Sequence, residues 1–333
     1  MPRTLILLDT VPADAPADAQ DVLAEAAAVE QALQGLGWST GRLEVGLDLD
    51  AASRGIRERE PDLVFNLVET LGGIARLAPF AAALFDHLGI PYTGATAESI
   101  LTTTNKRLAK SLLLLAGLPT PPLLTAVGPT DPPERSWIVK SVWEHASIGI
   151  DDGSVTGDDG TARNTLLEHR ARLGGEWFAE RYVDGREFNL SLLEAGGAPE
   201  VLPPAEIRFV DYPPGKPRIV NYAAKWMPDA FEYRRTERIF PEAGADAPLF
   251  AELGRLASAC WALFDLAGYA RVDFRVDREG RPWIVDINSN PCLAPDAGFA
   301  AAVARSGATF DHAIARIVEG ALRRSTLDAE SAT

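Results

Sequence analysis

Cysteine and positive charge are both scarce in this 333-residue sequence. Two cysteines, Cys260 and Cys292, cannot form a disulfide framework, so we expect a reducing, cytoplasmic location. The 47 acidic residues outnumber the 32 basic ones, and the formal charge of −15 is opposite in sign to the field of a nucleic-acid or anionic-membrane binder. Apolar runs such as Leu112 to Leu115 are far too short to span a membrane. These shortages favour an acidic, multi-domain enzyme of small molecules.

Lysine is scarcer still. Because lysine is a compact point charge and arginine a planar fork, the two are not interchangeable at a phosphate site. A chain that uses arginine for generic charge but keeps a few lysines suggests phosphate chemistry at those positions. The alternative, residual surface lysines in an arginine-biased chain, stays open at this point. Only five of the 32 basic residues are lysines: Lys106, Lys110, Lys140, Lys216 and Lys225.

The first ninety residues alternate strand and helix patterns. Residues 5–8 and 61–68 are apolar enough for buried strands, and an alanine-rich helix over 19–36 lies between them. This βαβ rhythm predicts a parallel sheet covered by helices. No Gly-x-Gly-x-x-Gly follows the first strand, which excludes a nucleotide-binding Rossmann unit. A long helix over 96–116, carrying two of the lysines, then begins a smaller α+β unit.

A hairpin over residues 270–288 is the most informative segment. Charged and apolar residues alternate from Arg271 to Val276, which places Arg271 and Asp273 on one face of a strand. On the returning strand Asp286 and Asn288 also share a face, so antiparallel pairing gathers an oxygen cluster beside Arg271. Carboxylate and amide oxygens suit Mg²⁺. The alternative is an exposed polar face with incidental charge pairing. Ile284 argues against this alternative, because an apolar residue is expected on the same face.

The lysines and the hairpin together suggest a nucleoside triphosphate bound with magnesium. The Gly-x-x-x-x-Gly-Lys-Ser/Thr loop is absent, so this is not a P-loop protein. His-Glu-x-x-His and Gly-x-Ser-x-Gly are absent too, and the four scattered histidines are interpreted as surface or internally satisfied residues.

A series of short motifs between about Phe65 and Arg316 resembles the ATP-grasp ligases, specifically the D-alanine–D-alanine ligase branch. The motifs occur in the family's order: Pro91-Tyr92-Thr93-Gly94, Asn105-Lys106, Gly117-Leu118-Pro119-Thr120-Pro121, Val139-Lys140, Ser147-Ile148-Gly149, Glu180 to Val183 with Gly185-Arg186-Glu187, Ala224-Lys225, Arg271-Val272-Asp273, and Asp286-Ile287-Asn288 with Pro291. The resemblance implies a three-domain ATP-grasp architecture, α/β and α+β. Its expected parts are an N-terminal α/β domain (1–94), a central subdomain with a lid loop (95–183), a C-terminal subdomain (184–325) and a disordered tail (326–333).

The same resemblance implies a role for each matching residue. Lys106 and Lys140 would hold ATP phosphates, and Lys225 would reach them from another loop. Arg271, Lys225 and Ser147 are the implied catalytic residues, with Arg271 stabilising an oxyanion. The remaining implied contacts are the lid at Ser147, Ile148 and Gly149, the adenine hinge at Glu180, Arg181 and Val183, the ribose ligand Glu187, and two Mg²⁺ (with Mn²⁺ as a substitute) on Asp273, Asp286 and Asn288. Lys110 and Lys216 are expected at the surface.

The sequence departs from the family at the amino-acid end of the site. The family's Ser-Glu pair after the first strand is missing from residues 9–19, and its His-Gly becomes Glu69-Thr70. Its Pro-Gly-Met becomes Pro291-Cys292-Leu293, and His145-Ala146 stand in the lid where glycine and serine are usual. Asp286 replaces a glutamate, one methylene longer, which leaves the geometry of the second metal open.

These departures predict a carboxylate–amine ligase that makes a peptide bond through an acyl phosphate, with substrates other than two D-alanines. Amino acids or short peptides are the expected substrates, and the resemblance implies a homodimer. Glu69 is a candidate for an ammonium contact, and Asp296 is a candidate residue for favouring an amine. Cys292 is expected as a small residue beside the site that need not be a nucleophile. Arg234, Arg235 and Arg238 are expected on a charged surface loop, with recognition of an acidic substrate as their alternative. The other functions left open are D-alanine–D-alanine ligation with altered contacts, an ATP-dependent phosphotransferase, and a nucleotide-binding regulator without turnover.

Overall fold

The N-terminal part of the chain forms a parallel sheet of three strands in order β2-β1-β3, covered by helices on both faces. The computed structural model describes residues 1–12, 14–125, 136–144 and 146–331, with side chains as far as 327. Leu5 and Leu7 pack on one face of the sheet, and Ile6 and Leu8 pack on the other, which explains the unbroken apolar run of the first strand. The elements are β1 (Arg3–Asp9), α1 (Ala17–Gly35), β2 (Ser39–Val45), α2 (Leu49–Arg59), β3 (Leu63–Leu67) and α3 (Pro79–Leu88).

The central part places two helices beside a small antiparallel sheet of order β5-β4-β6. The prediction of a single helix over 96–116 is wrong, because the helix is interrupted at Asn105. The Asn105 side chain accepts a hydrogen bond from the Leu108 backbone N–H at 3.1 Å and so starts a new helix, with Lys106 at its first position. The elements are α4 (Ala97–Thr104), α5 (Lys106–Leu115), β4 (Trp137–Ser141), β5 (Val155–Thr156), α6 (Asp159–Leu173) and β6 (Trp177–Arg181).

The C-terminal part contains a six-stranded sheet of order β10-β9-β7-β11-β12, with β8 paired to β7. The predicted hairpin over 270–288 is confirmed as β11 and β12. The elements are β7 (Arg186–Ala195), β8 (Ala198–Val201), β9 (Ala205–Phe209), α7 (Tyr222–Trp226), α8 (Phe231–Arg235), β10 (Thr236–Ile239), α9 (Ala247–Leu263), β11 (Tyr269–Val276), β12 (Pro282–Asn288), α10 (Gly298–Arg305) and α11 (Phe310–Ser331).

Strands β7 and β11 separate a core face from a polar face. Every second residue packs into one apolar core with α9 and α5, including Phe188 opposite Phe274. The intervening residues pair across the two strands on the other face, where Asn189 lies opposite Asp273. The alternation predicted from residues 271–276 is therefore present, and it orders a polar surface that faces the central part of the chain.

A β-bulge in the β11–β12 pair corrects one sequence-based expectation. The register shifts between Asp273 and Phe274, so that Asp273 lies opposite Asp286 but Phe274 lies opposite Ile284. The extra residue reverses the alternation of β12 at this point. Ile284 consequently belongs to the apolar core, and the prediction that it shares the face of Asp286 is wrong.

The final helix, α11, runs to Ser331, so it includes part of the segment 326–333 that was expected to be disordered. It packs against both α1 and β7 and shares an apolar core with them. Among the described residues, no helix has the length and apolarity needed to cross a membrane. The domain boundaries stay predictions.

Gly185 gives a test of how closely the sheet is assembled. A Cβ at this position would lie 1.9 Å from the backbone oxygen of Val276. We therefore expect Gly185→Ala to lower the free energy of unfolding by about 1–3 kcal/mol, the usual cost of overpacking. Chemical denaturation measures the change.

The matched control is Gly254→Ala in α9, where a Cβ meets nothing within 4 Å. This substitution should raise stability by about 0.5–1 kcal/mol, because alanine is the better helix former. Equal stabilities for the two variants would contradict the packing described here.

Candidate active site

The polar face of β11 and β12 carries a pair of facing carboxylates. Asp273 and Asp286 are directly opposite in the antiparallel register. Arg271 binds Asp273 through two charge-assisted hydrogen bonds of 2.7 and 2.8 Å. Asn189 donates to Asp273 at 2.9 Å, and Asn288 donates to it at 3.4 Å. The structure thus brings the predicted metal ligands together beside Arg271.

The donor set fits Mg²⁺ in chemistry. Asp273, Asp286 and Asn288 offer only carboxylate and amide oxygens, which magnesium prefers. In the conformation described, Arg271 neutralises Asp273, so an incoming cation has to share that carboxylate with the guanidinium. Within the described ranges there is no group of three His, Cys, Asp or Glu residues placed to hold a metal, and the candidate site depends on the asparagine oxygen.

Three lysines from different elements surround Asp286. Lys106 Nζ lies 3.7 Å from Asp286 Oδ1, and it also donates to the Glu144 carbonyl at 3.0 Å. Lys140 and Lys225 are close enough for the Asp286 charge to raise the pKa of both ammonium groups. Burial and the Arg271 charge nevertheless leave the pKa of Lys225 below its usual value. Positive charge is therefore concentrated beside the Asp286 carboxylate.

The sequence analysis predicted that Lys110 lies at the surface. This prediction is wrong, because Lys110 is only 2% exposed. It forms an ion pair with Glu180, whose other oxygen accepts from Lys140 Nζ at 2.7 Å. Burial raises the pKa of Glu180, but the two lysines outweigh it and hold that pKa below its ordinary value. Lys110 also donates to Thr120 Oγ1 at 2.9 Å, and this hydroxyl donates to the Ile284 carbonyl at 2.9 Å. The expected surface lysine therefore joins α5 to β6 and β12.

A second ion pair orders the segment that follows β6. Arg275 binds Glu187 at 2.8 Å and donates from Nε to the Val183 carbonyl at 3.0 Å. Arg181 is exposed, with its backbone N–H donating to the Pro122 carbonyl at 2.9 Å. Glu187 and Val183 are thus fixed from one side by the same guanidinium, which the sequence analysis did not single out.

The loop over residues 146–149 contacts α7, the helix that carries Lys225. Ser147 Oγ donates to the Val220 carbonyl at 2.7 Å, and Trp226 Nε1 donates to the Ala146 carbonyl at 3.1 Å. A Cβ at Gly149 would lie 2.5 Å from the Trp177 ring, so glycine is required there, and Ile148 is 37% exposed. Helix α7 in turn reaches α1, through a hydrogen bond of 2.9 Å from the Tyr222 hydroxyl to Asp18. His145 lies outside the described residues.

Lys216 is a further correction. Its side chain is only 15% exposed, and Nζ contacts Asp152 Oδ2 at 2.5 Å and Glu232 Oε1 at 2.6 Å. Lys216 therefore ties the central part of the chain to the C-terminal loop, and it is not a plain surface residue.

Carboxylates gather at the N-terminal end of the cleft. Glu69 is exposed as a residue, but neighbouring protein atoms desolvate its carboxylate, and this desolvation, with the charges of Asp9 and Asp21, raises its pKa to about 7. Burial raises the pKa of Asp9 to about 6 despite hydrogen bonds from Thr70. Glu25 is 3% exposed, and burial and the Glu69 charge raise its pKa well above the usual value.

Cys292 borders these carboxylates as a protonated thiol. Its Sγ donates to Asp21 Oδ2 at 3.1 Å, and the next residue, Leu293, donates its backbone N–H to Glu25 Oε1 at 2.8 Å. Burial and the Glu25 charge raise the pKa of Cys292, which keeps the thiol protonated and agrees with the expectation that it need not be a nucleophile.

The three arginines after α7 separate into two groups. Arg234 and Arg235 are at the surface as expected, but in α8 and not in a loop, and they form exposed ion pairs with Asp229 and Asp211. Arg238 lies in β10 and donates to the backbone carbonyl of Asp296 at 3.0 Å. The residue is exposed, but partial desolvation and the nearby Arg271 charge lower the pKa of its guanidinium. Asp296 itself is exposed.

The fold and the site together define an ATP-grasp enzyme. The central sheet β5-β4-β6 contributes Lys140, the C-terminal sheet contributes Asp273 and Asp286, and lysines and carboxylates line the cleft between the two sheets. The family model described as "D-ala D-ala ligase C-terminus" matches residues 136–319. The chain is 30% identical over 299 residues to a D-alanine–D-alanine ligase of Methylococcus capsulatus, with 88% of each chain covered. It is 29% identical over 306 residues to a D-alanine–D-alanine ligase of Gloeobacter violaceus, covering 89% of this chain and 92% of that one.

Solved structures show the same fold. The crystal structure of a D-alanine–D-alanine ligase from Bacillus anthracis complexed with ATP matches 98% of this chain and 100% of that chain, with a TM-score of 0.74 and 19% identity. The chain belongs to the D-alanine–D-alanine ligase family, and it is an ATP-dependent carboxylate–amine ligase that uses ATP and Mg²⁺.

Sequence reasoning missed several residues of the site. Asn189 has the same parity on β7 as the predicted Glu187, so the strand alternation was a usable signal for it. Arg275 has the parity of Arg271 and Asp273 and was available in the same way. Asp9, Asp21 and Glu25 come from separated segments with no shared motif, and only the fold brings them together.

Glu180 provides a test of the buried charge cluster. Glu180→Gln leaves the buried Lys110 and the half-buried Lys140 without an anion, so we expect it to lower the free energy of unfolding by about 3–5 kcal/mol. Lys110→Met is the matched control, because it leaves the neutral pair of Lys140 and Glu180 intact. Denaturant melts of both variants decide the matter, and a smaller loss in Glu180→Gln than in Lys110→Met would refute this arrangement.

Proposed function

We propose that this ligase joins the carboxylate of an amino acid or short peptide to an amine through an acyl phosphate, and that its substrates are not two D-alanines. The observation that carries the proposal is the convergence of Lys106, Lys140 and Lys225 on Asp286, a site suited to a metal-bound triphosphate. The altered substrate end supports the second part, because it combines Glu69 and its neighbouring carboxylates with Cys292 and Arg238.

The proposed nucleotide contacts follow from this placement. Lys106 and Lys140 bind the α- and β-phosphates, while Lys225, with no ion-pair partner within 4.0 Å among the described residues, reaches the transferred phosphate. The loop at Ser147, Ile148 and Gly149 covers the phosphates. The segment from Glu180 through Arg181 to Val183 contacts adenine by its backbone, because the Glu180 carboxylate is taken by two lysines. Glu187, oriented by Arg275, binds the ribose.

Asp273, Asp286 and Asn288 are the proposed ligands of two Mg²⁺, which Mn²⁺ can replace. Bound magnesium supplies charge neutralisation of the phosphate oxygens during in-line transfer. Asn189 and Arg271 hold Asp273 in position for this task through their hydrogen bonds.

The chemistry has two steps. A carboxylate oxygen attacks the γ-phosphorus, the bond to ADP breaks, and an acyl phosphate forms. The amine then attacks the acyl carbon, Arg271 stabilises the oxyanion, phosphate leaves and the nitrogen loses a proton to give the amide. The contacts from the lid to Val220 and Trp226 close the cleft, and exclusion of water protects the acyl phosphate from hydrolysis.

D-alanine–D-alanine ligation is the second candidate, favoured by the relatives of about 30% identity that carry this name. An ATP-dependent phosphotransferase is a third possibility of the same site, since it needs only the first step. A homodimer stays a prediction.

Trapping of the activated carboxylate tests the proposal. The protein is incubated with ATP, Mg²⁺ and a panel of amino acids, and both phosphate release and hydroxamate formation with hydroxylamine are followed. We expect hydroxamate with amino acids other than D-alanine. A stable phosphorylated product would reject the ligase reaction, and a preference for D-alanine would reject the substrate assignment.

Two substitutions test the assigned site in the same assay. Lys140→Ala and Asp273→Asn should each reduce the rate by a factor of about 100 or more, because each removes a charge that stabilises phosphoryl transfer. Glu44→Gln, at an exposed position on β2, is the control and should retain the wild-type rate. A retained rate in either of the first two variants contradicts the assignment.

A further inference from the structure

Four carboxylates border one recess at the N-terminal end of the cleft. They come from the end of β1, from α1 and from the loop after β3, and they affect one another's charge. We define the acidic recess by Asp9, Asp21, Glu25 and Glu69.

The acidic recess has hydrogen-bond donors from the protein but no cation in contact. Thr70 donates to Asp9, the Cys292 thiol donates to Asp21, and the Leu293 backbone donates to Glu25. Within the part of the chain that the structure describes, no lysine or arginine forms an ion pair with any of the four carboxylates. Only Glu25 is buried, whereas Asp9 and Asp21 are half-buried and Glu69 is exposed, so a ligand can reach the four carboxylates from solvent. A buried carboxylate such as Glu25 is ordinarily paired with a cation, because its desolvation is costly. The acidic recess therefore suits a positive ligand.

A buried hydroxyl gives an independent indication of a ligand. Tyr269 is 1% exposed and packs edge-on against Phe299 at 5.5 Å. Its hydroxyl has no hydrogen-bond partner among the described residues, and the charges of Glu25, Glu69 and Cys292, together with burial, raise its pKa. A buried tyrosine hydroxyl normally finds a partner. Here it faces the acidic recess, where its oxygen can accept a hydrogen bond from an ammonium group.

The acidic recess adjoins the cationic side of the cleft. Its member Glu69 is close enough to Lys225 and Arg271 for both positive charges to act on its carboxylate. A substrate whose carboxylate lies at Lys225 and Arg271 therefore projects its positive groups toward the carboxylates. A single α-ammonium group offsets one negative charge. The four carboxylates and the tyrosine oxygen provide hydrogen-bond acceptors for a second ammonium group.

We propose that the acidic recess binds a second positively charged group of the substrate, so that the carboxylate substrate of this ligase is a diamino acid of the lysine or ornithine type. This inference rests on the proposed ligase function and adds the class of substrate to it.

A pair of amino acids that differ only by the terminal amine tests the proposal. Lysine and norleucine, as both enantiomers, are compared by kcat/KM in the hydroxamate assay with ATP and Mg²⁺, and ornithine is compared with norvaline. We expect the basic member to be preferred by about tenfold or more, the effect of one hydrogen bond to a charged group. Equal rates, or a preference for norleucine, overturn the proposal and leave the ligase function intact.

Substitutions locate the preference in the recess. Asp21→Asn and Glu69→Gln keep the shapes of the side chains and should each reduce the lysine-to-norleucine ratio by about fivefold or more. The control Glu44→Gln, an exposed acid of the same domain, should keep the wild-type ratio. An unchanged ratio in both recess variants, each with the wild-type melting temperature, shows that the preference arises elsewhere and overturns the assignment.

Binding measured without turnover distinguishes failure of the proposal for the acidic recess from failure of the proposed ligase function. If no amino acid gives hydroxamate, the proposed function fails, and the recess is then judged by calorimetric binding of lysine and norleucine at pH 7. Tighter binding of lysine supports the recess, and equal or absent binding overturns it.

Proton release is a second calorimetric readout. Lysine should bind with release of protons, because a cation lowers the raised pKa values of Glu25 and Glu69, and Glu69→Gln should release fewer. Binding heats that do not vary with the buffer contradict this account. The charged and titratable groups that face the recess are Asp9, Asp21, Glu25, Glu69, Lys225, Tyr269, Arg271 and Cys292.

Discussion

The structure depends on one buried arrangement of charge, the Glu180 carboxylate between Lys110 and Lys140. Neither lysine can be buried without the carboxylate, and the carboxylate cannot be buried without them. Lys110 belongs to α5 and Lys140 to β4, so the pairing fixes a helix against the central sheet. Through Thr120 the same lysine reaches the backbone of β12, beside Asp286. The position of the lysines proposed to bind phosphate, relative to the carboxylates proposed to bind metal, thus depends on this desolvated cluster.

The two ends of the cleft differ in electrostatic character. Positive charge dominates where Lys106 and Lys225 meet Asp286, and negative charge dominates around Glu25 and Glu69. Desolvation lowers the pKa of Lys225 and raises the pKa of Glu25 and Glu69, because burial penalises the charged form of each group. A ligase of this family has to hold a polyanionic nucleotide and a zwitterionic substrate at once, and this separation of charge gives each a different end.

Local patterns in the sequence predicted much of the fold and several of the residues that the structure gathers around Asp286. The alternation of Arg271 and Asp273 identified the polar face of β11, because a strand obeys a fixed period. The bulge that moves Ile284 into the core could not be predicted, since it depends on the pairing of two strands. Lys110 was misassigned for a similar reason, because its partner Glu180 lies seventy residues away and no periodicity links them. The acidic recess was likewise out of reach, apart from Glu69.

The hydrogen bond from Tyr222 to Asp18 has a consequence for the reaction cycle. Helix α7 carries Lys225 and contacts the lid, while Asp18 belongs to α1, which also supplies Asp21 and Glu25. In the proposed reaction cycle the loop at residues 146–149 covers the nucleotide, so lifting it would also move α7 and, through this hydrogen bond, α1. Release of ADP and release of the joined product would then be coupled, and the turnover rate would depend on a contact remote from the bond being made.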